Sequence, residues 1–342
     1  MKKIRIALIG YGNVGKAFAQ MLLRKQEYIN ETYGCEAVIS AICTRSKGAV
    51  MDPEGIDVRT LRDEDFDQSQ DALRVIDFGE YDIMAELTPI NIMSGMPAIE
   101  HVRRAMNRGK HVITANKGPI AWAYRELRDL AREKNVQFCY EATVMDGVPV
   151  YNLTKETLMG CKITEVSGIL NATTNFILTE MEKGSTFDEA VAEGRVQGFV
   201  EADASMDIDG WDAAAKLTAL MNVLMDVSIT PLDINRTGIG GITKSDLDAA
   251  ADAGKKIKLL CRGWMTEDGS GNPKPVGTVG PTLVDRDSLP AIMDATSSYV
   301  SIMTDLMGGV TVIEEPFEPE IDHTAYGVLS DLLRILLTIR LT

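Results

Sequence analysis

Histidine is scarce in this chain of 342 residues. There are three, His101, His111 and His323, and none stands at metal-ligand spacing to another histidine or to a cysteine. A zinc centre is therefore not expected. Five cysteines, Cys35, Cys43, Cys139, Cys161 and Cys261, are scattered without a Cys-x-x-Cys pair. They read as buried, reduced thiols of a cytoplasmic protein. Basic charge is in deficit: 35 Lys and Arg against 50 Asp and Glu leave a net charge of −15. That argues against the clustered positive surface a nucleic-acid binder needs. No apolar run reaches membrane-spanning length. The opening "MKKIRIALIGYG" is broken by Arg5 and ended by glycines, which argues against a secretory signal. No repeat or low-complexity tract stands out.

What is present is ordinary globular material, 45% hydrophobic and 25% charged, at a length that favours two domains or one large one with an insertion. The first part alternates. "KIRIALIG" (3–10), "AVISAICT" (37–44), "YDIMAELT" (81–88), "KHVITAN" (110–116) and "VQFCYEA" (136–142) predict short strands. Between them, Val14 to Glu31, Gly95 to Arg108 and Ile120 to Lys134 predict helices. Apolar strands separated by helices imply a parallel sheet covered on both faces. Past Val150 the rhythm changes. "KITEVSGIL" predicts a strand, followed by helices over Thr173–Lys183, Thr186–Val196 and Asp212–Met225. Thr186 and Glu189 form a capping-box pattern. "KIKLLCRGWM", "PVGTVGPTLV", "SYVSIMTDLM" and "GVTVIEE" then predict strands joined by turns, suited to an antiparallel sheet with helices on one face. A long amphipathic helix from His323 to Leu341 is expected to return to the first domain.

The hexapeptide "GYGNVG", residues 10–15, follows the first strand and opens a helix. Gly10-x-Gly12-x-x-Gly15 is the arrangement a dinucleotide pyrophosphate requires: a tight turn, a bare backbone, and close helix–strand packing. The free amides of the helix's first turn then face phosphate. The expected fold class is α/β. It pairs a Rossmann-type parallel-sheet domain over 1–148, completed by a C-terminal helix over 320–342, with an α+β substrate and dimerisation domain over 149–319. The second strand ends "ICTRSKG", with no carboxylate before Asp52. Arg45 and Lys47 there suit a ribose 2′-phosphate and favour NADP over NAD, a solvated basic loop being the alternative.

A second cluster is acidic. "VEADASMDIDGWDAAAK" places Glu201, Asp203, Asp207, Asp209 and Asp212 in one short loop and helix start, with Lys216 one turn beyond Asp212. Such a stretch is compatible with a surface ion pair, with dipole complementation or with a cation site, though Gly210 lacks EF-hand spacing.

Taken together, "GYGNVG", "ELTPINIMSGMPA", "GKHVITANKGP", "YEATVMDGVP", "GILNATTNFIL" and "EADASMDIDGWDAAAK" resemble the homoserine dehydrogenases, in the short form without a regulatory domain. The resemblance implies reversible hydride transfer between NAD(P)H and the aldehyde of L-aspartate 4-semialdehyde, giving L-homoserine. It implies catalytic amines at Lys117 and Lys216, and substrate contacts at Thr173, Glu201, Asp207 and Asp212. It implies cofactor contacts at Gly10, Gly12, Asn13, Val14, Gly15, Arg45, Lys47, Thr88, Asn116 and Lys117. It further implies a monovalent cation, sodium or potassium, at Glu141 and the carbonyls around Val144, and a homodimer formed through the second domain's sheet. The chemistry agrees. A zwitterionic substrate wants both carboxylates and cations, and hydride delivery leaves charge on oxygen that an ammonium can stabilise or protonate.

The chain also departs from the family's pattern. Met145 and Asp146 stand where the family has small residues, Ala172 stands within "NATTN", and "EEPFEPEIDHTAYGVLSD" lacks a Gly-rich loop while keeping Thr324, Ala325, Ser330 and Asp331. The Met145–Asp146 and Gly-poor stretches border cofactor and substrate in the family, so a reshaped or partly closed pocket is expected. The alternatives are a dehydrogenase of another small hydroxy or amino acid, or a nucleotide-binding regulatory protein that has lost the reaction.

Overall fold

The computed structural model describes residues 2–198, 200, 203–315 and 321–341. It divides into two compact units, Met1–Asn152 with Phe317–Thr342, and Leu153–Pro316.

The first unit holds β1 (Lys2–Ile9), β2 (Cys35–Thr44), β3 (Gly48–Met51), β4 (Ile83–Glu86), β5 (His111–Thr114) and β6 (Phe138–Cys139), in the order β3-β2-β1-β4-β5-β6. All pairs are parallel except β2–β3. Alternation along β1 feeds two cores. Ile4, Ile6 and Leu8 pack with Phe18, Leu22 and, from the C-terminal helix Ile321–Leu341, Val328, Leu332 and Ile335. Ala7 and Ile9 face Met84, Val102, Met106 and Leu127. The strand order reverses between β1 and β4, the switch point where ligands of such sheets bind beyond the strand carboxyl ends.

Two predicted elements differ. The helix expected over Val14–Glu31 is two, Asn13–Arg24 and Gln26–Tyr33, broken where Lys25 leaves helical geometry (φ −103°, ψ 5°). The strand expected over 136–142 shrinks to two residues, because Glu141–Thr143 tightens into a 3₁₀ turn.

The second unit holds β7 (Ile163–Ile169), β8 (Asn235–Arg236), β9 (Lys255–Glu267), β10 (Pro273–Asp285), β11 (Ser298–Thr304) and β12 (Gly308–Glu314), in the order β12-β11-β7-β9-β10-β8. Only the β10–β8 pair is parallel. The capping box at Thr186 forms as expected. Its N–H donates to Glu189 Oε2 at 2.8 Å and its Oγ1 accepts the Glu189 N–H at 3.2 Å.

Candidate active site

At the end of β1, Gly10 turns with φ +107°. A Cβ there would lie 2.6 Å from the Leu87 carbonyl carbon, so only glycine lets the turn pass this close to the β4 exit. Gly15 lies against the Gly10 carbonyl in the same way. A Cβ at Gly12 would meet nothing within 4 Å, which leaves bare backbone facing open space. The helix that starts at Asn13 and Val14 has no side-chain cap and no acid in its first turn. Its amides thus suit a pyrophosphate, and the residues fit the dinucleotide. Arg45 and Lys47 occupy the tight turn between β2 and β3. Arg45 is exposed, whereas the Lys47 ammonium pairs with Asp63 at 2.5 Å.

Thr88, Asn116 and Lys117 form a chain at the exits of β4 and β5. The Asn116 amide donates to the Thr88 carbonyl at 2.9 Å, and its oxygen accepts the Gly118 N–H at 2.8 Å. Lys117 is the N-cap residue of helix Gly118–Glu133 and is half-buried. Both Thr88 donors point inward to Glu86: its N–H at 2.9 Å and its hydroxyl to the same oxygen.

In the second unit the acidic stretch forms a built cluster. Lys216, on helix Trp211–Leu224, donates to the Leu170 carbonyl at 2.8 Å and pairs with Asp212 at 3.3 Å. Asn171, not singled out by the sequence, ties the cluster together. Its oxygen accepts the Thr174 N–H at 2.8 Å and so caps helix Ala172–Lys183. Its two amide hydrogens reach Asp207 Oδ1 at 2.6 Å and Asp212 Oδ2 at 3.0 Å. Thr173, 7% exposed, sits in that helix's first turn. Lys216, Asp212 and Asp207 are thus gathered around Asn171, with Thr173 two residues along the chain, while Glu201 lies outside the described residues.

Glu141 is buried, and both its oxygens are engaged. They accept the N–H groups of Tyr151 and Asn152, each at 2.8 Å, at the start of helix Val150–Thr157. Burial raises its pKa, and those amides pull it back. Its own N–H donates to Asp331 at 2.8 Å, a buried carboxyl that desolvation pushes up to about 8. Val144 is fully buried. Among the described residues, no group of three or more His, Cys, Asp or Glu side chains is placed to hold a metal ion.

The departures at 145 and 146 fall on unusual backbone. Met145 and Asp146 both take left-handed backbone, φ 55° and 50°, the conformation glycine adopts without strain. Met145 is 3% exposed, turned into the protein, and Asp146 Oδ1 accepts the Thr324 hydroxyl at 2.8 Å. The neighbouring glycines interlock with the C-terminal helix. A Cβ on Gly147 would lie 2.5 Å from the His323 carbonyl, and one on Gly327 would lie 2.6 Å from the Asp146 carbonyl.

Comparison with known proteins bears on these residues directly. A homoserine dehydrogenase model matches residues 149–333, and a model of the NAD-binding domain of that enzyme matches residues 10–141. The NAD(+)-dependent homoserine dehydrogenase of Pseudomonas canavaninivorans is 36% identical, over 98% of this chain and 97% of its own. The solved structure of a putative homoserine dehydrogenase from Archaeoglobus fulgidus superimposes with a TM-score of 0.82 at 30% identity, covering 97% of this chain and 99% of its own. A hyperthermophilic archaeal homoserine dehydrogenase solved in complex with NADPH gives a TM-score of 0.79 at 26% identity, covering 98% of both chains. On the sheet edge, the acidic cluster and these matches along nearly its whole length, the chain belongs to the homoserine dehydrogenase family.

Proposed function

We propose that this chain interconverts L-homoserine and L-aspartate 4-semialdehyde, using NADP or NAD. The observation that carries the reading is the Asn171-centred cluster, in which Lys216 and two carboxylates are held by charge-assisted hydrogen bonds. When bound, the nicotinamide accepts or returns the hydride. Asp207 and Asp212, with Glu201, receive the substrate ammonium, and the Thr173 hydroxyl orients its polar end. Lys117 and Lys216 supply the two catalytic amines, the first for proton exchange and the second for stabilising negative charge. The backbone at Gly10, Gly12 and Gly15, with Asn13 and Val14, holds the pyrophosphate, and Thr88 and Asn116 border the nicotinamide end. Arg45 meets the 2′-phosphate of NADP, and Lys47 joins it on leaving Asp63. Glu141 and the Val144 carbonyl remain the candidate position for sodium or potassium, which shares the carboxylate with two helix amides.

A homodimer through the outer face of the antiparallel sheet belongs to the same reading. That face carries Met303 and Ile313, 41% and 44% exposed, beside an Arg262–Glu165 pair, and pairing such faces about a two-fold axis buries them. No described helix is long and apolar enough to cross a membrane.

The deciding experiment follows the appearance of reduced dinucleotide when the folded protein meets L-homoserine and NADP or NAD at alkaline pH, in sodium, potassium and choline salts. Turnover is expected with at least one dinucleotide. Tight dinucleotide binding without turnover in any salt would replace the enzyme by a nucleotide-binding regulator.

A further inference from the structure

Beneath the Thr88 loop lies a buried acid–base pair that none of the roles above uses. Glu86 ends β4 and is fully buried, and His101, on helix Ala98–Asn107, is 4% exposed. His101 Nδ1 lies 2.6 Å from Glu86 Oε2. The other oxygen, Oε1, accepts both donors of Thr88. Thr88 is then gripped from the side by Asn116, through its carbonyl at 2.9 Å and its hydroxyl at 3.3 Å, and Asn116 also accepts the Gly118 N–H beside Lys117. The β4 strand pairs register Glu86 with Ile9 on one side and with Thr114 on the other. From the β1 side, Gly10 presses on the same spot, where a Cβ would lie 2.9 Å from the Thr88 nitrogen. One carboxylate therefore underpins the loops leaving β1, β4 and β5, the edge at which a dinucleotide is read.

A carboxylate in this position is costly unless every oxygen is satisfied, and an apolar side chain would fill the space more simply. What an apolar residue cannot supply is an acceptor aimed up at the Thr88 N–H. A fully satisfied buried network is also stiff. We propose that Glu86 and His101 are positioning residues for the dinucleotide. They hold Thr88 and Asn116 in place before the nucleotide arrives, so that less ordering remains to be done on binding. The inference rests on dinucleotide use by this chain, and it is read by binding rather than by turnover. A chain that bound the nucleotide without oxidising homoserine would still test it.

The experiment titrates NADPH and NADH into the full-length protein and into Glu86→Leu, Glu86→Gln, His101→Leu and His101→Asn, with thermal unfolding of each to confirm folding. Gln keeps an acceptor for Thr88, and Asn places an amide nitrogen near the position of Nδ1. Both should bind dinucleotide within about threefold of the parent, whereas each Leu variant should bind about tenfold or more weakly. At saturating dinucleotide, the homoserine KM should stay unchanged in the folded variants. A folded Leu variant with parental affinity overturns the proposal. So does equal weakening of dinucleotide and homoserine, the mark of general damage. Should Glu86→Leu not fold, His101→Leu decides, since it removes the Nδ1 partner that aims the Glu86 carboxylate at Thr88. Hydrogen exchange in the parent protein gives a reading free of variants. The Thr88 amide should be protected before nucleotide is added, and exchange at the rate of an open loop would mean that nothing is held in advance.

Discussion

All four residues of β4, in the parallel sheet, are buried, whereas β12, in the antiparallel sheet, exposes alternate residues along its length. The first pattern follows from helices packed on both faces. With no face left open, the chemistry of that unit is confined to the strand ends, where the Gly10 turn, Thr88, Asn116 and Lys117 collect. The second sheet is covered unevenly. Gly263 of β9 lies against Met221 of helix Trp211–Leu224 on one face, while on the other Leu289 and Met293 pack over Ile169, Leu260 and Tyr299 and leave Met303 and Ile313 exposed. Its functional groups therefore sit on helix starts, and a broad face remains for association. In the proposed function one unit reads a nucleotide with backbone, and the other meets a zwitterion with side chains.

The two lysines break or sharpen this division most strongly. Lys117→Met removes an amine from a strand end, and Lys216→Ala removes one from a helix face. Each should lower kcat for homoserine oxidation by about 100-fold or more, while Lys216→Ala keeps dinucleotide affinity. Steady-state kinetics with direct dinucleotide titration separates the effects. If Lys216→Ala changes only the homoserine KM, the second unit is a binding platform and the chemistry belongs to the first.

The open sheet face comes next. In the proposed homodimer an arginine at Met303 would bring like charges into the paired sheet faces, where they repel. It should weaken self-association at least about tenfold at little cost to the fold, because Met303 is already 41% exposed. Sedimentation of parent and Met303→Arg over a concentration series checks this. A parent that is monomeric throughout would leave that face to solvent.

What the sequence shows of each unit follows the same line. The Gly10 turn is legible because only glycine fits its φ and its approach to Leu87, so geometry writes itself as a motif. The acidic stretch is legible by charge density alone. Asn171 is not, because its partners Asp207 and Asp212 lie 36 and 41 residues away and only folding brings them together. The Glu86–His101 pair hides likewise, as a charge at the end of an apolar strand and a lone histidine on a helix. The break at Lys25 carries no Gly or Pro to announce it, and β3 and helix Ala72–Phe78, of 4 and 7 residues, are too short for periodicity to reveal. Met145 and Asp146 carry side chains on left-handed backbone that glycine adopts more easily, and nothing in the residue types foretells the Thr324 contact.

The smallest effect concerns a charge buried in the second unit away from its site. The Lys258 side chain is 0% exposed and donates to Asn175 Oδ1 at 3.0 Å, to the Met293 carbonyl at 2.7 Å and to Asp294 at 3.3 Å. Burial lowers its pKa from the usual 10.5, against the pull of Glu182 and Asp294. Between that lowered value and 10.5, the unfolded chain holds a proton that the folded chain has released, so stability rises with pH across this window. The contribution is complete above 10.5 and is lost as pH falls through the folded value. Lys258→Met keeps the volume, takes from buried Asn175 Oδ1 its lysine donor, and should cost about 1–3 kcal/mol near neutrality. Urea unfolding of both proteins from neutral pH to 10.5 should show the parent's advantage widening as pH rises. A constant difference would mean that Lys258 keeps its proton throughout, held by Asp294 as firmly as water would hold it.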